Sequence, residues 1–116
     1  MWSLRDDVAK EGRVFLFPIL EYRVIDGDTV EVVIDRGFHD TSKKTCRLHG
    51  VNTPERYTDE GKQVTEFVKT WMSSAALVRS YKFSGKYGRF IGDFYSETGE
   101  SLCDTLLRLG YAVAYP

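Results

Sequence analysis

The stretch IDGDTVEVVIDRG, residues 25–37, decides how the chain folds. From Thr29 to Gly37 it alternates, with Val30, Val32 and Ile34 on one face and Glu31 and Asp35 on the other. A period of two marks a strand with one buried face. Just upstream, Asp26, Gly27 and Asp28 separate this strand from RVFLFPILEYRVI (13–25), an extended run rich in aromatic and β-branched residues. Asp and Gly make tight connections, so residues 25–30 read as a turn joining two antiparallel strands. Paired carboxylates near a turn also suit a hard metal ion, and at this point both readings stand. Pro18 inside the first run demands an edge position or a bulge.

Working outward, the polar segment FHDTSKK (38–44) reads as the next turn and TCRLHGV (45–51) as a third strand. The period then changes. Val64, Phe67, Val68, Trp71 and Ala75 follow helical spacing, which predicts an amphipathic helix over 59–76 whose stripe is core packing. LVRSYKFS (77–84) and FIGDFYSE (90–97) return to strand character, linked by GKYGR (85–89). After the turn TGE (98–100), Ser101 is placed to cap a short helix bearing Leu102, Leu106 and Leu109, with Gly110 at its end. Five strands with a helix between the third and fourth predict a mainly β, α+β chain. The architecture is an OB-fold, a five-stranded Greek-key barrel with a short helix after the fifth strand. Residues 1–12 read as a flexible N-terminal arm and 13–116 as one domain.

Composition sets the outer bounds. The 116 residues are 42% hydrophobic and 28% charged, which suits one globular domain. No apolar run approaches membrane-spanning length, and MWSLRDDVAKEG lacks the apolar core of a signal peptide, so a cytoplasmic or intracellular location is expected. Cys46 and Cys103 lack metal-pair spacing and read as two buried free thiols. With a net charge of −1, any nucleic-acid function must rest on local charge.

Three segments carry chemistry: IDGDTV (25–30), RLHGVNTPE (47–55) and GKYGR (85–89). Each lies at a strand end or in a loop. Together they resemble the staphylococcal nuclease (thermonuclease) family over residues 13–115. Asp-Gly-Asp-Thr-Val alone is weak; Arg-Leu-x-Gly-Val-x-Thr-Pro-Glu at the right distance downstream is strong, and Lys-Tyr-Gly-Arg after the helix adds to it. The residue chemistry agrees. Hydrolysing a phosphodiester requires neutralising charge on the non-bridging oxygens and activating a water. Arginine offers planar bidentate donors to phosphate, and a positioned carboxylate takes a proton from water. Pro54 stiffens the turn that holds Glu55.

The resemblance implies a metal-dependent nuclease that cuts DNA and RNA on the 5′-oxygen side and leaves 3′-phosphates, with single strands preferred. It implies that Arg47, Glu55 and Arg89 are the catalytic set. Asp28, Asn52 and the backbone carbonyl of Thr53 would hold Ca2+, while Asp26 stabilises the turn and Gly27 supplies backbone freedom. Lys86 and Tyr87 match positions that contact a terminal phosphate, and Tyr115 matches, across a one-residue gap, an aromatic near the nucleotide. His39 and His49 are expected at the surface.

Three departures bear on these expectations. Asn52 replaces the archetype's aspartate, which keeps an oxygen ligand but removes a charge, so weaker calcium binding is expected. The connection from Glu55 to the long helix is shorter. The archetype also continues into a further helix beyond the position of Pro116. Without it, apolar surface around Leu106 to Tyr115 would be bare, and a homodimer is the expected cover. The rival reading is a non-catalytic OB-fold module that binds nucleic acid or protein. Such domains of the wider family typically lose the arginine–glutamate set, which this chain keeps.

Overall fold

The computed structural model describes residues 15–84 and 88–115. The chain runs β1 (Phe15–Asp26), β2 (Thr29–Gly37), β3 (Asp40–Leu48), β4 (Val51–Asn52), α1 (Asp59–Met72), β5 (Ala75–Ser84), β6 (Arg89–Ser96), α2 (Leu102–Arg108) and β7 (Val113–Ala114). Five strands close into a barrel in the order β1-β2-β3-β6-β5. All neighbours are antiparallel except β3 and β6, which pair in parallel. This is the OB-fold expected from the sequence. The arm proposed for residues 1–12 lies outside the described residues.

The barrel closes because β1 serves two partners. Phe15 to Pro18 pair with β5, and Ile19 to Asp26 pair with β2. Pro18 sits at that change of partner, and the register slips by one residue around Leu20. Pro18 itself stays in register with Leu77 as the last residue of the β5 ladder, so it lies at the end of a ladder and the bulge falls two residues on.

The alternation of β2 delivers Val30, Val32 and Ile34 to the core, where they meet Cys46, Leu48, Val78 and Phe94. Helix α1 lays Val64, Val68, Trp71 and Met72 against this cluster, and α2 adds Leu102 and Leu106. Ser101 caps α2 by accepting from the Asp104 N–H, and Gly110 follows the helix with φ +79°. Asp93 on β6 is buried; it accepts from the Ser101 hydroxyl and, at 3.0 Å, from the Cys103 N–H, fastening the start of α2 to the barrel. Both cysteines are buried and free. Burial, reinforced by the charge of Asp93, pushes the Cys46 thiol up to about 12, which makes it inert packing.

Three boundaries differ from the sequence reading. The third strand ends at Leu48 rather than 51, and Val51 belongs to β4, which pairs with β7. Residues 40–44 belong to β3 rather than to a turn, because Thr41 to Lys44 pair with β2 and leave only Phe38 and His39 between the strands. Helix α1 stops at Met72 rather than 76: the hydroxyls of Ser73 and Ser74 donate to the carbonyls of Thr70 and Trp71 at 2.6 and 2.8 Å, closing its last turn. No helix among the described residues is long and apolar enough to cross a membrane.

Candidate active site

At one end of the barrel Gly27 and Asp28 form a two-residue connection between β1 and β2. Sequence reasoning assigns Gly27 to backbone freedom, but its φ is not positive. The reason for glycine is space. A Cβ there would stand 2.7 Å from Val64 Cγ1 and 3.0 Å from Thr53 Oγ1, so the turn is pressed against α1 and the segment that carries Thr53. A one-residue bulge around Ile25 adjusts the twist of the strands to this turn.

The two aspartates have different surroundings. Asp26 Oδ1 accepts from the Asp28 N–H at 3.1 Å and so closes the turn. Asp28 Oδ1 accepts from the Thr29 hydroxyl at 3.1 Å, and Oδ2 faces the Thr53 N–H at 3.5 Å and Arg47 Nη2 at 3.4 Å. Burial favours the neutral form of both. For Asp26 that effect wins, reinforced by Asp28, and its pKa is raised. For Asp28 burial is overcome by the hydrogen bond with Asp26, the Arg47 charge and the donors of Thr29 and Thr53, so it stays below the usual carboxylate range. The two carboxyls are thus shifted in opposite directions, and Asp28 is the more acidic of the pair.

Arg47 lies at the end of β3. Its Nη1 donates to the carbonyls of Leu48 (3.0 Å) and Val51 (2.9 Å), which fixes the guanidinium across the turn from β3 to β4. Its Nη2 then faces Asp28 Oδ2 and Asn52 Oδ1, each at 3.4 Å. The chain's last described residues reach the same place. Asn52 pairs with Val113, the Tyr115 N–H donates to the Gly50 carbonyl at 2.9 Å, and the Tyr115 ring centroid lies 5.9 Å from Arg47 Cζ.

Arg89 opens β6. Arg47 is paired with Ile91 across the parallel ladder, so Arg89, two residues earlier, presents to the same outer face as Arg47. Glu55 is exposed on the loop before α1. That loop is held by a clasp invisible in the sequence. Thr58 donates its N–H (3.0 Å) and hydroxyl (2.7 Å) to the Glu55 carbonyl, and its hydroxyl oxygen accepts from the Gly61 N–H (3.0 Å) as the helix cap. A Cβ at Gly61 would fall 1.8 Å from the Glu55 oxygen. The cap is thus Thr58, and the Glu55 side chain is not used for it.

The structure brings Asp28, Arg47, Asn52, Thr53 and Tyr115 together and sets Arg89 on the adjoining strand. Lys86 and Tyr87 lie outside the described residues. His39 and His49 are at the surface, with His49 stacked on Tyr81 at 4.2 Å between centroids. No cluster of three His, Cys, Asp or Glu is present among the described residues. The donors converging near Arg47 Nη2 are all oxygen, which fits a hard divalent cation and not a soft one. Only Asp28 among them is charged, so the fit is to weak binding completed by an anionic ligand. The contacts of Arg47 Nη2 to those oxygens are long, so little is lost when the oxygens turn to a cation.

The sequence model of the family described as Staphylococcal nuclease homologue matches residues 45–116. A protein of Escherichia coli O157:H7 named "Uncharacterized endonuclease" is 30% identical over 111 residues, covering 88% of this chain and 68% of that one. A protein of the same name from Escherichia coli matches to the same extent. An "Uncharacterized 38.1 kDa protein" of Capnoides sempervirens is 30% identical over 95 residues, covering 81% of this chain and 26% of its own.

Proposed function

This chain belongs to the staphylococcal nuclease homologue family and carries a nuclease domain, and on that premise we propose that it hydrolyses DNA and RNA phosphodiesters on the 5′-oxygen side, leaving 3′-phosphates. The observation that carries the reading is Arg47, anchored through Nη1 on two backbone carbonyls and sharing an outer face with Arg89. Two guanidinium groups so placed clamp one phosphate from adjacent strands and stabilise the charge that develops on its oxygens. Glu55 accepts a proton from the attacking water; a P–O bond to the water oxygen forms, the bond to the 5′ oxygen breaks, and the leaving oxygen takes a proton. Tyr115, beside Arg47, offers a ring face to a base.

Asp28, Asn52 and the Thr53 carbonyl would hold calcium, which supplies Lewis-acid charge to the phosphate when bound. Because Asn52 carries no charge, half-maximal activity is expected near 10⁻⁴–10⁻³ M calcium, an order-of-magnitude range for weak sites. Asn52→Asp should lower the calcium dissociation constant, measured by calorimetry without substrate, by about tenfold. Equal affinities in the two proteins would refute the charge argument.

The clasp gives a second expectation. Gly61→Ala forces the Glu55 backbone away from α1, and a misplacement of about 1 Å lowers kcat by roughly 10²-fold. The same change should destabilise the fold by about 1–3 kcal/mol in urea. In a Glu55→Ala background the loss of activity should vanish while the loss of stability remains. An undiminished loss of activity there would mean that Gly61 acts through something other than Glu55.

Incubating single-stranded DNA with the chain, with calcium or with chelator, tests the whole reading. Cleavage only with calcium, giving 5′-hydroxyl ends that accept phosphate from a kinase, is the expected result. Absence of cleavage, or 5′-phosphate products, would overturn it.

A further inference from the structure

At the end of the barrel opposite the Gly27–Asp28 turn, the inward register of the strands runs out of core residues. On β2 it passes from Val30, Val32 and Ile34 to Arg36, and on β3 from Leu48 and Cys46 to Lys44. There the barrel opens into a mouth of about 460 Å³. Val32, Ile34, Cys46 and Val78 contribute to its lining, as do the rings of Phe15, Phe17, Tyr81, Phe83 and Phe90. Four cations, Arg36, Lys44, Arg79 and Lys82, also line it, and among the described residues no carboxylate does.

Five of the described cations outside the mouth are ion-paired. Arg23 and Lys43 pair with Glu31, Arg47 with Asp28, Lys69 with Glu66 and Arg108 with Glu100. None of the four mouth cations has a carboxylate partner among the described residues. Two rest on rings instead: Lys44 Nζ lies 5.5 Å from the Phe90 centroid and Arg79 Cζ 4.5 Å from that of Tyr81. The neighbouring lysines 43 and 44 are thus divided, one neutralised on the outer face and one left charged in the mouth. The rings are offered too, since Phe15 is 45% and Phe83 59% exposed. Apolar ring faces interleaved with unpaired cations form the surface that takes a flexible polyanion with flat bases.

We propose that this mouth is a second, non-catalytic contact for single-stranded nucleic acid, an inference that rests on the nuclease reading above. Bases stack on Phe83 and Phe15, and phosphates lie against Arg36, Lys44, Arg79 and Lys82. The contact sits close to the candidate active site. Lys44 and Arg47 are three residues apart on β3, about 10 Å along the strand, and Arg89 and Phe90 are consecutive on β6. A strand cleaved at Arg47 and Arg89 reaches the mouth within a few nucleotides. The mouth would then set how long a strand is gripped, and the arginine pair where it is cut.

The test is fluorescence anisotropy with a labelled oligothymidylate, using the chain carrying Glu55→Gln so that the strand survives. Adding Lys44→Ala and Lys82→Ala should weaken binding about tenfold or more and reduce the salt slope, log affinity against log salt, by about 1.4, two phosphate contacts' worth on a single strand. Phe83→Ala should weaken binding about fivefold or more with the slope unchanged. Lys62→Ala with Lys69→Ala, which removes equal charge from α1, should leave affinity at the parental level. Unchanged affinity and slope in the mouth variants, while the unsubstituted chain still cleaves the strand, would overturn the mouth and spare the nuclease reading. A parental chain that neither binds nor cleaves would sink both. Binding of polyglutamate as tight as that of the oligonucleotide, with no effect of Phe83→Ala, would assign the surface to acidic polypeptide and also overturn the proposal.

Discussion

Arg89→Ala is expected to lower kcat on single-stranded DNA by about 10³–10⁵-fold, the range found when an arginine that meets transition-state charge on phosphoryl oxygens is removed. The size follows from where the charge appears. Arg47 is already engaged through Nη1 with two carbonyls and faces Asp28 and Asn52 through Nη2. It therefore presents a fixed but partly committed set of donors. Arg89, at the first position of β6 and on the same outer face, is the group that brings the second set. Charge developing between them in the transition state meets both; the ground-state diester, with one charge, meets either. The loss should therefore fall on kcat, with KM changed little. Arg89→Lys should recover only part of the rate, because an ammonium keeps the charge and loses the planar pair of donors. The free energy of urea unfolding, measured beside the rate, separates a loss of fold from a loss of chemistry. A rise in KM at constant kcat would make Arg89 a ground-state binding residue and remove it from the catalytic set.

The parts of the fold legible in the sequence are those decided by local pattern. Val30, Val32 and Ile34 announce β2, and the stripe at Val64, Val68 and Trp71 announces α1. The cap at Ser101 is readable because capping is a matter of one side chain and a nearby N–H. What was not legible depends on a partner distant in the chain. Asp40 to Lys44 look like a turn because they are polar; they are strand because β2 pairs with them, Lys43 reaches Glu31, and Lys44 lies on Phe90. Gly27 looks like a concession to backbone freedom, and nothing in the local sequence singles out Gly61. Both are close approaches, to Val64 and to the Glu55 carbonyl, that no local window contains. The candidate site was readable as a residue set because its residues cluster in three short segments. Its wiring was not: which carbonyls hold Arg47, which aspartate is the more acidic, and what clasps the loop of Glu55 all require the fold. A net charge of −1 likewise hides a mouth whose described lining has four cations and no acid, because summing along the chain averages away what the barrel sorts.

Glu55→Ala is expected to lower the rate on single-stranded DNA at saturating calcium by at least about 10²-fold, and up to about 10⁴-fold, the range for a positioned general base. The competing account is that Glu55 serves the start of α1, as acids before helices often do. The geometry separates the two. The helix cap is the Thr58 hydroxyl, and Glu55 enters the clasp only through its backbone carbonyl, which any side chain at this position retains. Truncation should therefore leave the unfolding free energy within about 0.5 kcal/mol, and a fall in rate without a fall in stability can only reflect the carboxylate. Two further substitutions divide its roles. Glu55→Gln keeps the shape and the acceptor oxygen but cannot take up the water's proton, so a base predicts a loss as large as that of alanine, whereas a group that merely orients water predicts a small one. Glu55→Asp keeps the basicity and withdraws it by one methylene, so it should retain more activity than glutamine if proton transfer governs the step and less if reach does. Equal rates for parent and alanine variant, with the fold intact, would remove Glu55 from the mechanism and require another acceptor for the proton. Asp28 would be a poor substitute, because its carboxylate is held ionised below the usual range and already faces Arg47.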